Sequence, residues 1–277
     1  MSWLHRTAPA ACVLLLAACA STPPAPVAAP GRAEAGVIAN CTPNARTTVG
    51  PYIYENNTWG SDKARDAFEQ CLVERERDGR KEIGWTWNWP GFDPSVYGYP
   101  EIIFGWKPWS GGASTHPRLP IKVTAVKEMT MRYEVETRAT GAYNLAPEIW
   151  LTDSGEVSEA PRPTALTTEI MFWMDYKNGA RPAGSVVDTP EIEGVKYELW
   201  RASNIGNRGD GKGWTLYSFK SPTPQHKGEI KIHALLAYML SKNLVSPQEY
   251  VASIEFGNEM MGGTGTTWVR RFEIEVK

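Results

Sequence analysis

Several separated segments of the chain alternate apolar and polar residues at period two. Thr130-Met131-Arg132-Tyr133-Glu134-Val135-Glu136-Thr137 is one, and Trp214-Thr215-Leu216-Tyr217-Ser218-Phe219 another. Lys196 to Trp200 and Thr267 to Val276 follow the same rule. Such a period turns one face to a core and the other to solvent or a ligand. Gly, Pro and Asn clusters divide these runs at short intervals, as in sandwiches and jelly rolls. One stretch breaks the rule. In Lys227 to Asn243, the residues Ile232, Leu235, Leu236, Met239 and Leu240 recur at three- and four-residue steps, which predicts a helix with one buried stripe. Ser246-Pro247 reads as a capped turn after it. Asp62 to Val73 fits either a helix or a disulfide loop. The pattern predicts an all-β sandwich with one helix and no second globular unit.

The first residues stand apart. His5 and Arg6 precede an apolar run, Ala8 to Ala18, too short to span a bilayer. It ends in Leu16-Ala17-Ala18-Cys19, which resembles the lipobox of bacterial lipoproteins. On that resemblance, residues 1–18 are a signal peptide, Cys19 is lipidated, and Ala20 favours the outer membrane, facing either the periplasm or the cell surface. An ordinary signal peptide is the alternative. Residues 19–36 form a Pro/Ala tether without the large apolar residues a core needs. Folding starts near Val37, so 37–277 is expected to be the working domain.

Composition sharpens the picture at two points. A net charge of −2 argues against a nucleic-acid binder. The 12 Trp are more than a core hides easily and point to aromatic faces in a groove. Of four Cys, Cys12 and Cys19 lie in the leader, leaving Cys41 and Cys71, the right number for one disulfide in an exported protein. The four His form no metal-ligand pattern, so no metal is expected.

Carboxylates beside indoles carry the candidate chemistry. In Glu169-Ile170-Met171-Phe172-Trp173-Met174 a strand would place Glu169, Met171 and Trp173 on one face. Glu169 is then either an acid among apolar neighbours, costly without partners or a function, or a Glu at an exposed strand start. In Glu255-Phe256-Gly257-Asn258-Glu259 a strand runs toward a Gly-rich turn. Glu259 is either placed for chemistry or a loop acid facing water. Glu255 shares its face if Gly257 leaves the register intact. Glu148 and Trp150 repeat the acid–indole face. Indoles stack on pyranose faces, and carboxylates bond hydroxyls or act on glycosidic oxygens.

In this order and spacing the motifs resemble glycoside hydrolase family 12, retaining endo-β-1,4-glucanases and xyloglucanases. Asn56-Asn57-Thr58-Trp59-Gly60, Gln70-Cys71, Trp85 to Trp89, Tyr99-Pro100-Glu101-Ile102, Glu148-Ile149-Trp150-Leu151, the Glu169 strand and Phe256-Gly257-Asn258-Glu259 carry the likeness. It implies a β-jelly roll of two curved antiparallel sheets with one helix on the convex side. It also implies Glu169 as nucleophile, Glu259 as acid/base and Glu148 as assisting acid, with the two reacting carboxyls about 5–5.5 Å apart. Asn57, Trp59, Met171, Trp173 and Pro182 would line the cleft, and Trp87 is a further candidate wall. No cofactor is implied. A β-glucan is the expected substrate: cellulose-like, mixed-linkage or xyloglucan. The protein is expected to act as a monomer and to meet a membrane only through its lipid. Glu148 stands where the family has Asp, and Asn258-Glu259-Met260-Met261 replaces Thr-Glu-Pro-Phe. A non-catalytic carbohydrate-binding jelly roll, a xylanase of the sister fold and a structural envelope lipoprotein are the alternatives. The acids at their expected places weigh against a mere binder or envelope protein, and the glucanase motifs weigh against the xylanase.

Overall fold

A computed structural model of the protein describes residues 37–277. The proposed signal peptide, Cys19 and the tether lie outside the described residues. Two β-sheets pack face to face. The smaller has six strands in the spatial order Ile38–Asn40, Glu69–Arg77, Arg80–Phe92, Gly262–Val276, Met129–Ala139, Lys227–Lys231. The larger runs Ser185–Asp188, Glu198–Ile205, Trp214–Lys220, Leu166–Trp173, Tyr143–Thr152, Tyr250–Gly257, Glu101–Gly105, Tyr52–Glu55, Arg46–Val49. Short strands Ile121–Lys122 and Asp175–Lys177 pair alongside it.

Between the sheets lies one apolar core. Ile149, Ile170 and Phe172 reach into it from the larger sheet, and Trp85, Met131 and Tyr133 from the smaller. Strand periodicity then fixes the other face of the larger sheet: Glu148, Trp150, Glu169, Met171, Trp173 and Glu255 point away from the core. Both faces are buried, which explains why Tyr143–Thr152 has no exposed residue. Cys41 and Cys71 are joined by a disulfide across 30 residues.

The sequence pattern and the fold differ in three places. The helix is Ile232–Ser241, and Lys227–Lys231 is a strand paired with Met129–Ala139. Gly228 is a poor helix former, and Ile230 and Ile232 continue an alternation that only then gives way to the stripe. The helix packs on the core side of the larger sheet, where Tyr238 meets Phe219 edge-on, 6.2 Å between ring centres. Asp62 to Val73 contains neither a long helix nor a simple loop: Ser61–Lys63 is one 3-10 turn, and Glu69–Arg77 is a strand. Finally, Leu166–Trp173 and Trp214–Lys220 run parallel, an exception within otherwise antiparallel pairing. The chain leaves the first of these strands after Trp173, adds the outer strands Ser185–Asp188 and Glu198–Ile205, and returns at the opposite end, where Thr215 lies beside Thr168.

Candidate active site

Strand register brings the acids together. Glu148 lies opposite Glu255 on one side and opposite Met171 on the other, while Glu169 lies opposite Trp150. Glu148 and Glu169 are therefore diagonal neighbours on adjacent strands, a relation that keeps their side chains within reach. The 250–257 strand ends at Gly257, and Glu259 follows on a short irregular segment. Gly257 is required there because a Cβ would stand 2.2 Å from the Pro100 carbonyl oxygen. This close approach turns the chain so that Glu259 joins the same face.

Each candidate acid has its own holder. Trp214 Nε1 donates to Glu169 Oε2 at 2.6 Å. Trp214 sits in a cluster of three indoles, 5.4 Å from Trp150 and 5.3 Å from Trp109 between ring centres. Asn144 Nδ2 donates to Glu259 Oε2 at 2.5 Å, and the Glu259 backbone N–H donates to Asn144 Oδ1 at 3.1 Å. Asn258 turns inward and locks the turn: its Nδ2 donates to the Asn144 carbonyl, and its Oδ1 accepts from Trp85 Nε1 and Thr267 Oγ1.

Burial raises all three acids. Glu169 is pushed up to about 8, first by burial and next by the charge of Glu259, against the Trp214 hydrogen bond. Glu259 is pushed up to about 7 by burial of its carboxyl, against the Asn144 hydrogen bond and the positive charge of Lys63. Glu148 lies well above the carboxylate range because of burial, then the charges of Glu169 and Glu259. The three titrate as a set. Once Glu259 holds the proton, its charge no longer raises Glu169, and the indole N–H favours the Glu169 anion.

Met171 and Trp173 form an apolar floor with Ala146, Leu216 and Met261. Trp150 Nε1 and Trp173 Nε1 are buried donors without an acceptor among the described residues. Asn57 lies at the edge, donating to Glu101 Oε1 at 2.7 Å and accepting from the Trp59 backbone N–H at 3.2 Å. The Trp59 ring is exposed, with Lys63 Nζ 4.1 Å from its centre. Pro182 is buried in the loop just beyond Ala180, a member of the floor cluster. Trp87 does not belong to this face. It lies in the core, edge-on to Tyr143, because Trp85, Trp87 and Trp89 alternate onto the inner side of their strand together.

Trp214, Asn144 and Lys63 were not among the residues picked out from sequence. Asn144 was legible in principle, four residues before Glu148 and so on the same strand face. Trp214 reaches Glu169 only through the parallel pairing, 45 residues along the chain. A buried Glu169 and a half-buried Glu259, each with a single N–H donor to its carboxyl and set above an indole-lined floor, suit acid–base chemistry on a polyhydroxyl ligand.

The family model for glycosyl hydrolase family 12 matches residues 50–277. The chain belongs to glycosyl hydrolase family 12. It is thus a glycoside hydrolase. The chain is 29% identical over 229 residues to endoglucanase S of Pectobacterium parmentieri, covering 82% of each chain. It is 26% identical over 224 residues to a xyloglucan-specific endo-beta-1,4-glucanase A of Aspergillus niger, covering 78% of this chain and 81% of the other. The family 12 xyloglucanase from Bacillus licheniformis superposes with a TM-score of 0.77 at 29% identity, over 87% of this chain and all (100%) of that one.

Proposed function

We propose that the protein cleaves internal β-1,4 bonds of a glucan with retention of configuration, with Glu169 as nucleophile and Glu259 as acid/base. The observation that carries this is the pairing of buried Glu169 with half-buried Glu259, with Trp214 favouring the anion of Glu169. In the first step Glu169 attacks the anomeric carbon while Glu259 gives its proton to the departing glycosidic oxygen. A glycosyl ester to Glu169 and a shortened chain with a free hydroxyl result. In the second step Glu259, now ionised, takes a proton from water. The resulting hydroxide attacks the anomeric carbon, and Glu169 leaves as carboxylate. Glu148, protonated beside Glu169, would steady the carboxylate in the interval.

The floor supports sugar binding: the Met171 and Trp173 surfaces suit a pyranose face. Asn57, exposed Trp59 and Pro182 extend this surface. The relatives' names point to plain or xylosylated β-1,4-glucan. The lipobox-like Leu16 to Cys19 supports an outer-membrane lipoprotein acting as a monomer at the end of its tether; loss of acylated peptide in Cys19→Ala tests the anchor.

The test is hydrolysis by residues 37–277 of carboxymethylcellulose, mixed-linkage glucan, xyloglucan and xylan, beside Glu169→Gln and Glu259→Gln. Rapid fall in viscosity on a glucan, lost in both variants, is expected. A folded protein that binds these glucans and cuts none overturns the proposal, and so does cleavage of xylan alone.

A further inference from the structure

Next to the three acids lies a second buried charge cluster that the reaction above does not use. Lys107 Nζ stands 2.5 Å from Glu101 Oε1, 3.3 Å from Glu255 Oε2 and 3.5 Å from Glu55 Oε2. The side chains are closed off from solvent, that of Glu101 completely at 0%. Arg46 covers Glu55 at 3.1 Å to both oxygens. Three carboxylates against two cations in such a place leave one negative charge in excess, which burial makes costly.

The hydrogen bonds show where a proton relieves this. Glu255 Oε1 accepts from Ser253 Oγ at 2.7 Å, and its Oε2 faces Lys107. Glu101 Oε1 accepts from both Lys107 and Asn57. Glu101 Oε2 is buried with no donor, and the Glu255 carboxyl is the group placed to bond it. Two carboxyls that meet without a donor need a proton between them. On Oε2 of Glu101 the proton satisfies every oxygen, neutralises the cluster, and leaves the charge on Glu255. Burial likewise holds Glu101 well above the carboxylate range.

Glu255 is the register partner of Glu148, and Glu101 is one strand further out. We propose that Glu101 and Glu255 are positioning residues of the hydrolase: the protonated Glu101 pins a negative charge on Glu255, and that charge keeps Glu148 in its protonated, hydrogen-bond-donating form beside Glu169. The groups around Glu148 are Glu169 on one neighbouring strand, Glu255 and then Glu101 on the other side, Glu259 on the following segment, and Tyr99. Tyr99 OH donates to the Ala146 and Glu255 carbonyls. Lys107, Glu55 and Arg46 close the far side, and Lys63 faces Glu259. The cluster also holds Asn57, so one acid pair touches both the rim and the reacting group.

The inference rests on the proposed roles of Glu148, Glu169 and Glu259. Its test is the pair Glu255→Gln and Glu101→Gln, each of which keeps shape and supplies an amide donor in place of the shared proton. In Glu255→Gln, Glu101 ionises and the charge moves one strand away from Glu148. The three acids titrate as a set, so the alkaline limb of the kcat/KM profile, where the Glu148 or Glu259 proton is lost, then falls by about one pH unit. In Glu101→Gln the charge stays on Glu255, and the limb stays within about 0.3 unit of wild type. A coincident profile for Glu255→Gln, or equal shifts in both variants, overturns the proposal. A purely structural role moves stability and kcat but not the limb selectively.

A second readout needs no activity. Because Glu101 is raised on folding, its cost to stability grows as pH climbs through and above the ordinary carboxylate range. Glu101→Gln removes that cost, so its Tm at pH 8 should equal or exceed that of wild type. A lower Tm would mean that Glu101 is an ionised partner of Lys107, and the proposal falls even if Glu255→Gln does not fold. Retained activity in Glu169→Gln would sink the catalytic reading while leaving this thermal arm intact.

Discussion

Trp214→Phe isolates the hold on the nucleophile. The change keeps an aromatic ring against Trp109 and Trp150 but removes the N–H that reaches Glu169 Oε2 at 2.6 Å. A hydrogen bond to a buried carboxylate contributes about 1.5–3 kcal/mol. The bond exists chiefly with the anion, so its loss raises the Glu169 pKa by about 1–2 units at roughly 1.4 kcal/mol per unit. Glu169 is already raised by burial, and that remains so once Glu259 is protonated. The acid limb of the kcat/KM profile on a soluble glucan should therefore move upward by about that 1–2 units. On that limb, activity at a fixed pH falls about 10- to 100-fold, and part of the loss is regained as pH rises. Trp109→Phe perturbs the same indole cluster without touching the Glu169 bond and serves as the packing control. An acid limb that does not move in Trp214→Phe, or moves equally in Trp109→Phe, refutes the reasoning.

Three further outcomes follow from the same geometry. Asn144→Leu removes the donor that holds Glu259 down, so kcat should fall while the alkaline limb moves to higher pH; a downward move would contradict the assignment. Gly257→Ala drives a Cβ against the Pro100 carbonyl oxygen and should cost about 1–3 kcal/mol in thermal or urea unfolding, with activity falling alongside. Opening the Cys41–Cys71 bridge by Cys71→Ala releases a 30-residue separation and should cost about 3–4 kcal/mol by the loop-entropy argument, read as a lower urea midpoint than wild type.

How far the sequence foretold the molecule depended on the range of the interaction. Glu169 and Trp173 share a face because strand alternation is local, and the same rule placed Glu148 with Trp150. The helix stripe from Ile232 was visible for the same reason, while its start was misplaced because Lys227 to Lys231 gains its hydrogen bonds from a strand nearly a hundred residues earlier. Trp87 shows the limit of composition. An indole rich in potential for sugar stacking went to the core because its alternation partners Trp85 and Trp89 did. The tie between Trp214 and Glu169 is a property of one parallel pairing, and no local pattern announces which strand will be inserted there. Glu101 and Glu255 were legible as acids on strands, but the single ammonium that gathers them comes from Lys107, beyond the end of the Glu101–Gly105 strand.

The parallel pairing has a consequence for how such an enzyme can change. The chain departs after Trp173 and comes back at Trp214, one strand away and at the opposite end of the Leu166–Trp173 strand, so the intervening residues form a crossover that spans the length of that strand. The loops of such a crossover can be lengthened or exchanged, but the segment must still span the strand and supply the outer strands Ser185–Asp188 and Glu198–Ile205. Its return point is different. Trp214 is the first residue of its strand and already grips Glu169, so a graft that shifts the junction by one residue would turn that indole to the core side and release the nucleophile. The natural seam for exchanging substrate-facing loops between relatives therefore lies ahead of Trp214, with the strand from Trp214–Lys220 left in its own register.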